Sequence, residues 1–126
     1  MGDLVFKLRE KQMKLNALKR NNDFTRAYKR GKSLVSPLLV TYVVKNRENK
    51  TRVGITSSKK IGNAVTRNRA RRVIRAALAN VLPQKSVGGV DIVFVARGTT
   101  AHKKSYQIEP VIKQHLTNAG ILKNDK

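Results

Sequence analysis

The chain has 126 residues, enough for one domain with an apolar core and too few for two comfortable ones. Hydrophobic residues make up 40 %, which excludes a purely disordered basic tail, and 28 Lys or Arg against 7 Asp or Glu leave a net charge of +21. That excess points to a polyanion as partner (RNA, DNA or an anionic membrane surface), while the absence of cysteine excludes a disulfide framework, a thiolate metal site and a cysteine nucleophile.

Residues 1–13 are charged, lack the apolar run of a secretory signal and read as a flexible N-terminal arm. A single domain is expected over 14–122, with a short tail at 123–126. The first clear helix starts at Asn22 or Asp23, either of which can cap it, passes through Tyr28 and stops at Gly31 in a left-handed C-cap. Phe24, Ala27 and Tyr28 share one of its faces. Residues 32–36 add a short strand. After Pro37, residues 38–45 read as a strand with Val40, Tyr42 and Val44 on one face and Leu39, Thr41 and Val43 on the other. A polar turn leads to a strand at 51–58 with Val53 and Ile55 inward, and the short loop between the two suggests an antiparallel hairpin.

The longest helical pattern covers 61–82. Ala70, Val73, Ile74, Ala77, Leu78 and Val81 fall on one arc, and Arg67, Arg71, Arg72 and Arg75 on another with Arg69 at its edge. Pro83 ends it, and Gly88-Gly89 marks a turn. A strand at 90–97 and an amphipathic helix at 108–122, ending near Gly120, complete the chain. The order is αβββαβα, an α+β fold in which a single four-stranded sheet is covered by helices. The longest apolar stretches, Leu38-Leu39-Val40 and Tyr42-Val43-Val44, are far too short to span a membrane. A membrane-surface protein would not explain the Asn and Ser interleaved with the arginines, so no membrane partner is expected.

Charge is unevenly placed. No acidic residue lies between Glu48 and Asp91, a stretch with ten Lys or Arg, five of them within Thr66-Arg67-Asn68-Arg69-Ala70-Arg71-Arg72-Val73-Ile74-Arg75. Like charges this close repel one another until a polyanion compensates them. Arginine's planar fork suits bidentate phosphate contacts, Ser57, Ser58, Asn63 and Asn68 supply neutral donors, and the Gly62-Asn63 step from strand to helix can expose backbone amides. These features distinguish the cluster from an ordinary solvated basic face.

Lys59-Lys60-Ile61-Gly62-Asn63-Ala64-Val65, followed by Arg67-Asn68-Arg69 and Arg71-Arg72-Val73-Ile74-Arg75, resembles the signature of the bacterial ribonuclease P protein component. The likeness extends more loosely from about residue 15 to 116. It takes in Asn22-Asp23-Phe24, Lys29-Arg30-Gly31-Lys32-Ser33, Arg52-Val53-Gly54 and Asp91-Ile92-Val93. The resemblance implies a protein subunit of an endoribonuclease whose chemistry is carried by RNA and which removes the 5′ leader of precursor tRNA in the cytoplasm. It implies that Lys59, Lys60, Asn63, Arg67, Asn68, Arg69, Arg71, Arg72 and Arg75 dock on ribonuclease P RNA, as one protein per RNA. It also implies magnesium bound mainly by that RNA, and a left-handed crossover through the basic helix where general rules would expect a right-handed one.

Phe24, Tyr28 and Tyr42 are half of the six aromatic residues. At helical and strand spacing they could be plain core, yet aromatic platforms beside cations commonly hold single-stranded RNA. The resemblance implies a central cleft in which these three bind the precursor leader, Tyr28 standing where phenylalanine is also common. His102 and His115 have no neighbouring carboxylates, and His115 is expected at the surface or rim. His102 shares the polar segment 98–105 with Lys103-Lys104, which could contact phosphate. The scattered carboxylates form no acid–base pair and no two-metal cluster, so no catalytic or metal-binding residue is assigned in the protein. The alternative is a non-enzymatic RNA-binding protein of ribosomal-protein-like fold. It would share the charge and the architecture without needing the aromatic cleft.

Overall fold

The computed structural model describes residues 16–18, 20–48, 50–81 and 89–121. The expected arm at 1–13, the tail at 123–126, Leu82, Pro83 and Gly88 lie outside them. In chain order the elements are β1 (Asn16–Ala17), α1 (Asn21–Arg30), β2 (Lys32–Val35), β3 (Leu39–Lys45), β4 (Arg52–Thr56), α2 (Ala64–Val81), β5 (Val90–Ala96) and α3 (Ser105–Asn118), with 3-10 turns at Lys59–Ile61 and Thr100–His102.

β5 is the most apolar strand, and it takes the middle of the sheet. Ile92, Val93 and Phe94 have no exposed surface, which requires cover on both faces and a neighbour on both edges. The strand order is β1-β4-β5-β3-β2. β4 pairs parallel to β5 and β3 antiparallel to it. The hairpin expected between the 38–45 and 51–58 segments therefore does not form, because β5 is inserted between its two arms. A short loop brings the ends of two strands near each other, but the link 46–51 can also bridge a gap of two strand spacings, roughly 10 Å. Asn46 shapes that link, its Nδ2 donating to Lys50 O at 3.0 Å while its Oδ1 accepts from Glu48 N. The hairpin that does form joins β2 to β3, with Val35 opposite Val40. Four full strands, β2 to β5, make the sheet, and the two-residue β1 extends it beside β4. β1 is a strand where the sequence predicts no element.

The two sheet faces have different partners. Leu39, Val53, Ile92, Phe94 and Ala96 pack on Ala70, Ile74, Ala77 and Leu78 of α2 and on Ile108, Ile112 and Leu116 of α3. Each large side chain fully buried here contributes about 1.5–3 kcal/mol. On the opposite face Val93, with Tyr42, Val44 and Val95 around it, meets Leu18 and the Phe24 and Ala27 side chains of α1.

Three helix boundaries depart from expectation. α1 starts at Asn21 without a side-chain cap, and Asp23 lies inside its first turn, where a negative charge suits the helix dipole. Gly31 after it is extended, with φ of −77°, and is not a left-handed cap. Glycine is needed there because a Cβ would stand 2.5 Å from Ala27 O and 3.0 Å from Val43 O. The helix expected over 61–82 is broken at Gly62, whose φ of +149° is open to glycine and strained for other residues. Asn63 then caps α2, its Oδ1 accepting from Thr66 N at 2.9 Å. α3 begins three residues before its expected start, at Ser105, where Gln107 Oε1 accepts from Lys104 N at 2.9 Å. It ends before Gly120, which has φ of +80°.

Candidate RNA-binding surfaces

Burial of Ala70, Ile74, Ala77 and Leu78 fixes the rotation of α2 and so decides where its arginines stand. Val65, Asn68, Arg71, Arg72 and Arg75 line an open groove along the outer flank. Lys59, Lys60, Asn63 and Arg69 are exposed as well. The nine basic and polar residues expected to meet RNA thus lie on one continuous segment of the molecule.

The arginines are not equivalent. Arg71 Nη1 donates to Ser57 Oγ at 2.8 Å and its Nη2 to Asn68 Oδ1, while Arg67 Nη1 donates to Gly62 O at 3.1 Å. These bonds pre-order two guanidinium groups and leave their remaining donors for a ligand, which lowers the entropy lost on binding. Arg69, Arg72 and Arg75 make no hydrogen bond or ion pair with the described residues. Asn63 and Asn68 accept from Thr66 and Arg71 within the fold, so RNA would be met by the rest of each amide.

The three aromatic residues do come together. Tyr28 of α1 and Tyr42 of β3 meet edge to face with centroids 5.0 Å apart and planes at 72°. Phe24, one helical turn before Tyr28, lies over Gly54 of β4. Phe24 and Tyr42 are half-buried and Tyr28 is 43 % exposed, so they are neither plain core nor a bare surface patch. Burial and the neighbouring Tyr42 push the Tyr28 phenol above its usual range, which keeps it a neutral hydrogen-bond donor. Gly54 and Thr56 share the face under the aromatic rings by strand alternation, and β4 then leads to Ser57, which Arg71 holds. The aromatic face and the arginine helix are joined at that point.

Beside the aromatic residues is an ionic cluster that the sequence reading missed. Asp91 has no exposed surface. Its Oδ1 accepts from Arg52 Nε at 2.8 Å and Asn46 Nδ2 at 2.7 Å, and its Oδ2 from Arg52 Nη2 at 2.8 Å and Arg26 Nη2 at 3.4 Å. Arg52 also reaches Asp23 at 3.5 Å. Donating its hydrogen bonds to the Asp91 carboxylate holds the Arg52 guanidinium above its already high range. The available signal was a lone carboxylate in an otherwise apolar strand, which requires a cation on the same face.

The histidines separate. His102 is exposed in the 3-10 turn beside Lys103 and Lys104. His115 is not at the surface or rim. It is buried beside Leu116 on the inward face of α3, and its Nδ1 is 2.7 Å from Thr41 Oγ1. The spacing of Ile108, Ile112 and His115 already carried that signal, since these positions share one helix face.

The Ribonuclease P family model matches residues 13–120. The chain belongs to the ribonuclease P protein family. It is 41 % identical over 109 residues to the ribonuclease P protein component of Clostridium botulinum strain Loch Maree, covering 86 % of this chain and 98 % of that one. It is 42 % identical over 104 residues to the component of Clostridioides difficile strain 630, covering 82 % and 91 %. The ribonuclease P protein of Staphylococcus aureus superposes with a TM-score of 0.68 at 34 % identity, over 83 % of this chain and 95 % of that one. That of Thermotoga maritima gives 0.67 at 26 % identity, over 82 % and 96 %. As a member of the ribonuclease P protein family the chain is a subunit of the ribonuclease P holoenzyme, a tRNA-processing ribonucleoprotein whose RNA performs the chemistry. Ribonuclease P RNA is its partner, and the ribosomal-type alternative falls away. Among the described residues no helix is long and apolar enough to cross a membrane.

Proposed function

We propose that the domain over 14–122 works through two adjoining surfaces, in the cytoplasm and as one protein per RNA. Lys59, Lys60, Asn63, Arg67, Asn68, Arg69, Arg71, Arg72 and Arg75 dock on ribonuclease P RNA and neutralise its phosphates. Phe24, Tyr28 and Tyr42 hold the unpaired 5′ leader of precursor tRNA, stacking bases on a floor that mature tRNA cannot use. A contact made only to the leader favours substrate over product. Magnesium is held mainly by the RNA in this reading. Among the described residues no three His, Asp or Glu side chains gather into a metal site.

The observation that supports this most strongly is the half-open Tyr28–Tyr42 pair on the same sheet face as Phe24, whose ring lies over β4, the strand that leads to Ser57 and so to the arginine helix. The test is reconstitution with ribonuclease P RNA and precursor tRNA at low magnesium. Release of the leader should be stimulated by the protein and should not occur without the RNA. Absence of stimulation would overturn the reading, and cleavage by the protein alone would move the chemistry into the chain.

A further inference from the structure

α1 is short, and of its residues only Ala27 is fully buried, so apolar contact alone sets its rotation over the sheet weakly. Its two flanks are held by different chemistry. Phe24 and Tyr28, four residues apart, lie against Gly54 and Tyr42. Asp23 and Arg26, three apart on the other flank, are fastened by charge. The sheet register explains this division. Gly54, Val93 and Tyr42 form one row across β4, β5 and β3, while Arg52, Asp91 and Val44 form the next row on the same face. The aromatic row and the ionic row are therefore neighbours under one helix. Arg26 spans the second, its Nη2 reaching both Asp91 and Lys45 O at 3.0 Å. A rotation of α1 that freed Arg26 would carry both aromatic rings off their partners. Arg26 keeps this place although its Nε is buried without a hydrogen-bond partner among the described residues, a cost that partly offsets the ion pair.

We infer that Asp91, acting through Arg26 and Arg52, is a positioning residue for the aromatic cleft. It sets the rotation of α1 and thereby the placement of the Phe24 and Tyr28 rings over Gly54 and Tyr42. The inference rests on the reading that these aromatic residues take the precursor leader. Arg26 touches no RNA in it, and its effect passes entirely through the rings.

The experiment uses holoenzyme reconstituted with ribonuclease P RNA and reads the ratio of mature to precursor tRNA dissociation constants. Arg26→Met, at a partly exposed side chain, should lower that ratio about threefold to tenfold. Affinity of the protein for the RNA subunit and affinity for mature tRNA should stay within about twofold of the parent. Arg26→Lys, which keeps a donor and the charge, should recover most of the ratio. Asp23→Asn, which weakens the same flank through Arg52, should reproduce the loss. Combining Arg26→Met with Tyr28→Ala should be no worse than Tyr28→Ala alone. An unchanged ratio in Arg26→Met, or a double variant whose losses add, would overturn the positioning role while leaving the cleft intact. An unchanged ratio in Tyr28→Ala would instead remove the cleft reading and the inference with it.

Discussion

The Phe24 ring lies so close over Gly54 that a methyl group added to the glycine would stand 2.6 Å from Cε1 and 2.7 Å from Cζ. The backbone of β4 is thus the floor on which the first ring of the cleft rests. Gly54→Ala should push Phe24 outward. The expected cost is about 1–3 kcal/mol of stability, as for an overpacked core site, with a loss of preference for precursor over mature tRNA. Urea unfolding and the two tRNA affinities measure these separately. If the ring can slide away freely, both will stay at the parent values.

Arg72→Ala and Arg75→Ala remove guanidinium groups that have no partner within the described fold. Each should change stability by no more than about 0.5 kcal/mol. Each should also weaken binding to ribonuclease P RNA and lower the slope of log K against log salt by about 0.7–0.9 for every phosphate that is no longer neutralised. Arg71→Ala should do more, because Ser57 and Asn68 lose the group that orders them. Titrations of the RNA at several salt concentrations decide this.

Asp91→Asn removes the buried carboxylate to which Arg52 donates twice, leaving Arg52 only Asp23 at 3.5 Å. Removing one member of such a pair typically costs about 3–5 kcal/mol, so a marked drop in the urea midpoint is expected. Arg52→Lys should cost less yet still destabilise, since one ammonium cannot match the two parallel 2.8 Å bonds to Asp91.

His115 gives the fold a pH dependence of definite sign. Burial lowers its pKa, so the folded protein binds this proton less readily than the unfolded chain does. Stability is therefore unaffected by His115 above about pH 6.5 and falls as the pH drops below that value towards the folded pKa. Urea unfolding at pH 7.5 and 5.5 should show the loss, and His115→Gln should reduce it. Thr41→Val, which leaves Nδ1 without its partner, should cost about 1–3 kcal/mol even at pH 7.5.

Elements with strong local signals were legible in the chain. The periodicity of Ala70, Ile74, Ala77 and Leu78 placed the arginines of α2 on the outer flank, and the alternation in 38–45 put Tyr42 opposite Thr41 and Val43. The break at Gly62 was less visible, because the apolar period of α2 masks the residue that interrupts it. The false hairpin arose because loop length says which strand ends are near, not whether a third strand lies between them. Asp91 was visible only as part of a motif string. Its partners Arg26, Asn46 and Arg52 are 65, 45 and 39 residues away.

By itself, then, the sequence determined the polyanion partner, the α+β class, the arginine face and the family likeness, since each depends on composition, short-range period or an ordered local string. Tertiary structure alone decided that β5 divides β3 from β4, that Phe24 rests on Gly54, and that His115 is buried. It also decided that one buried carboxylate ties α1 to the sheet beside the aromatic pair. Those are pairings between distant segments. They are settled by which surfaces can exclude water together, a property that no local window of the chain contains.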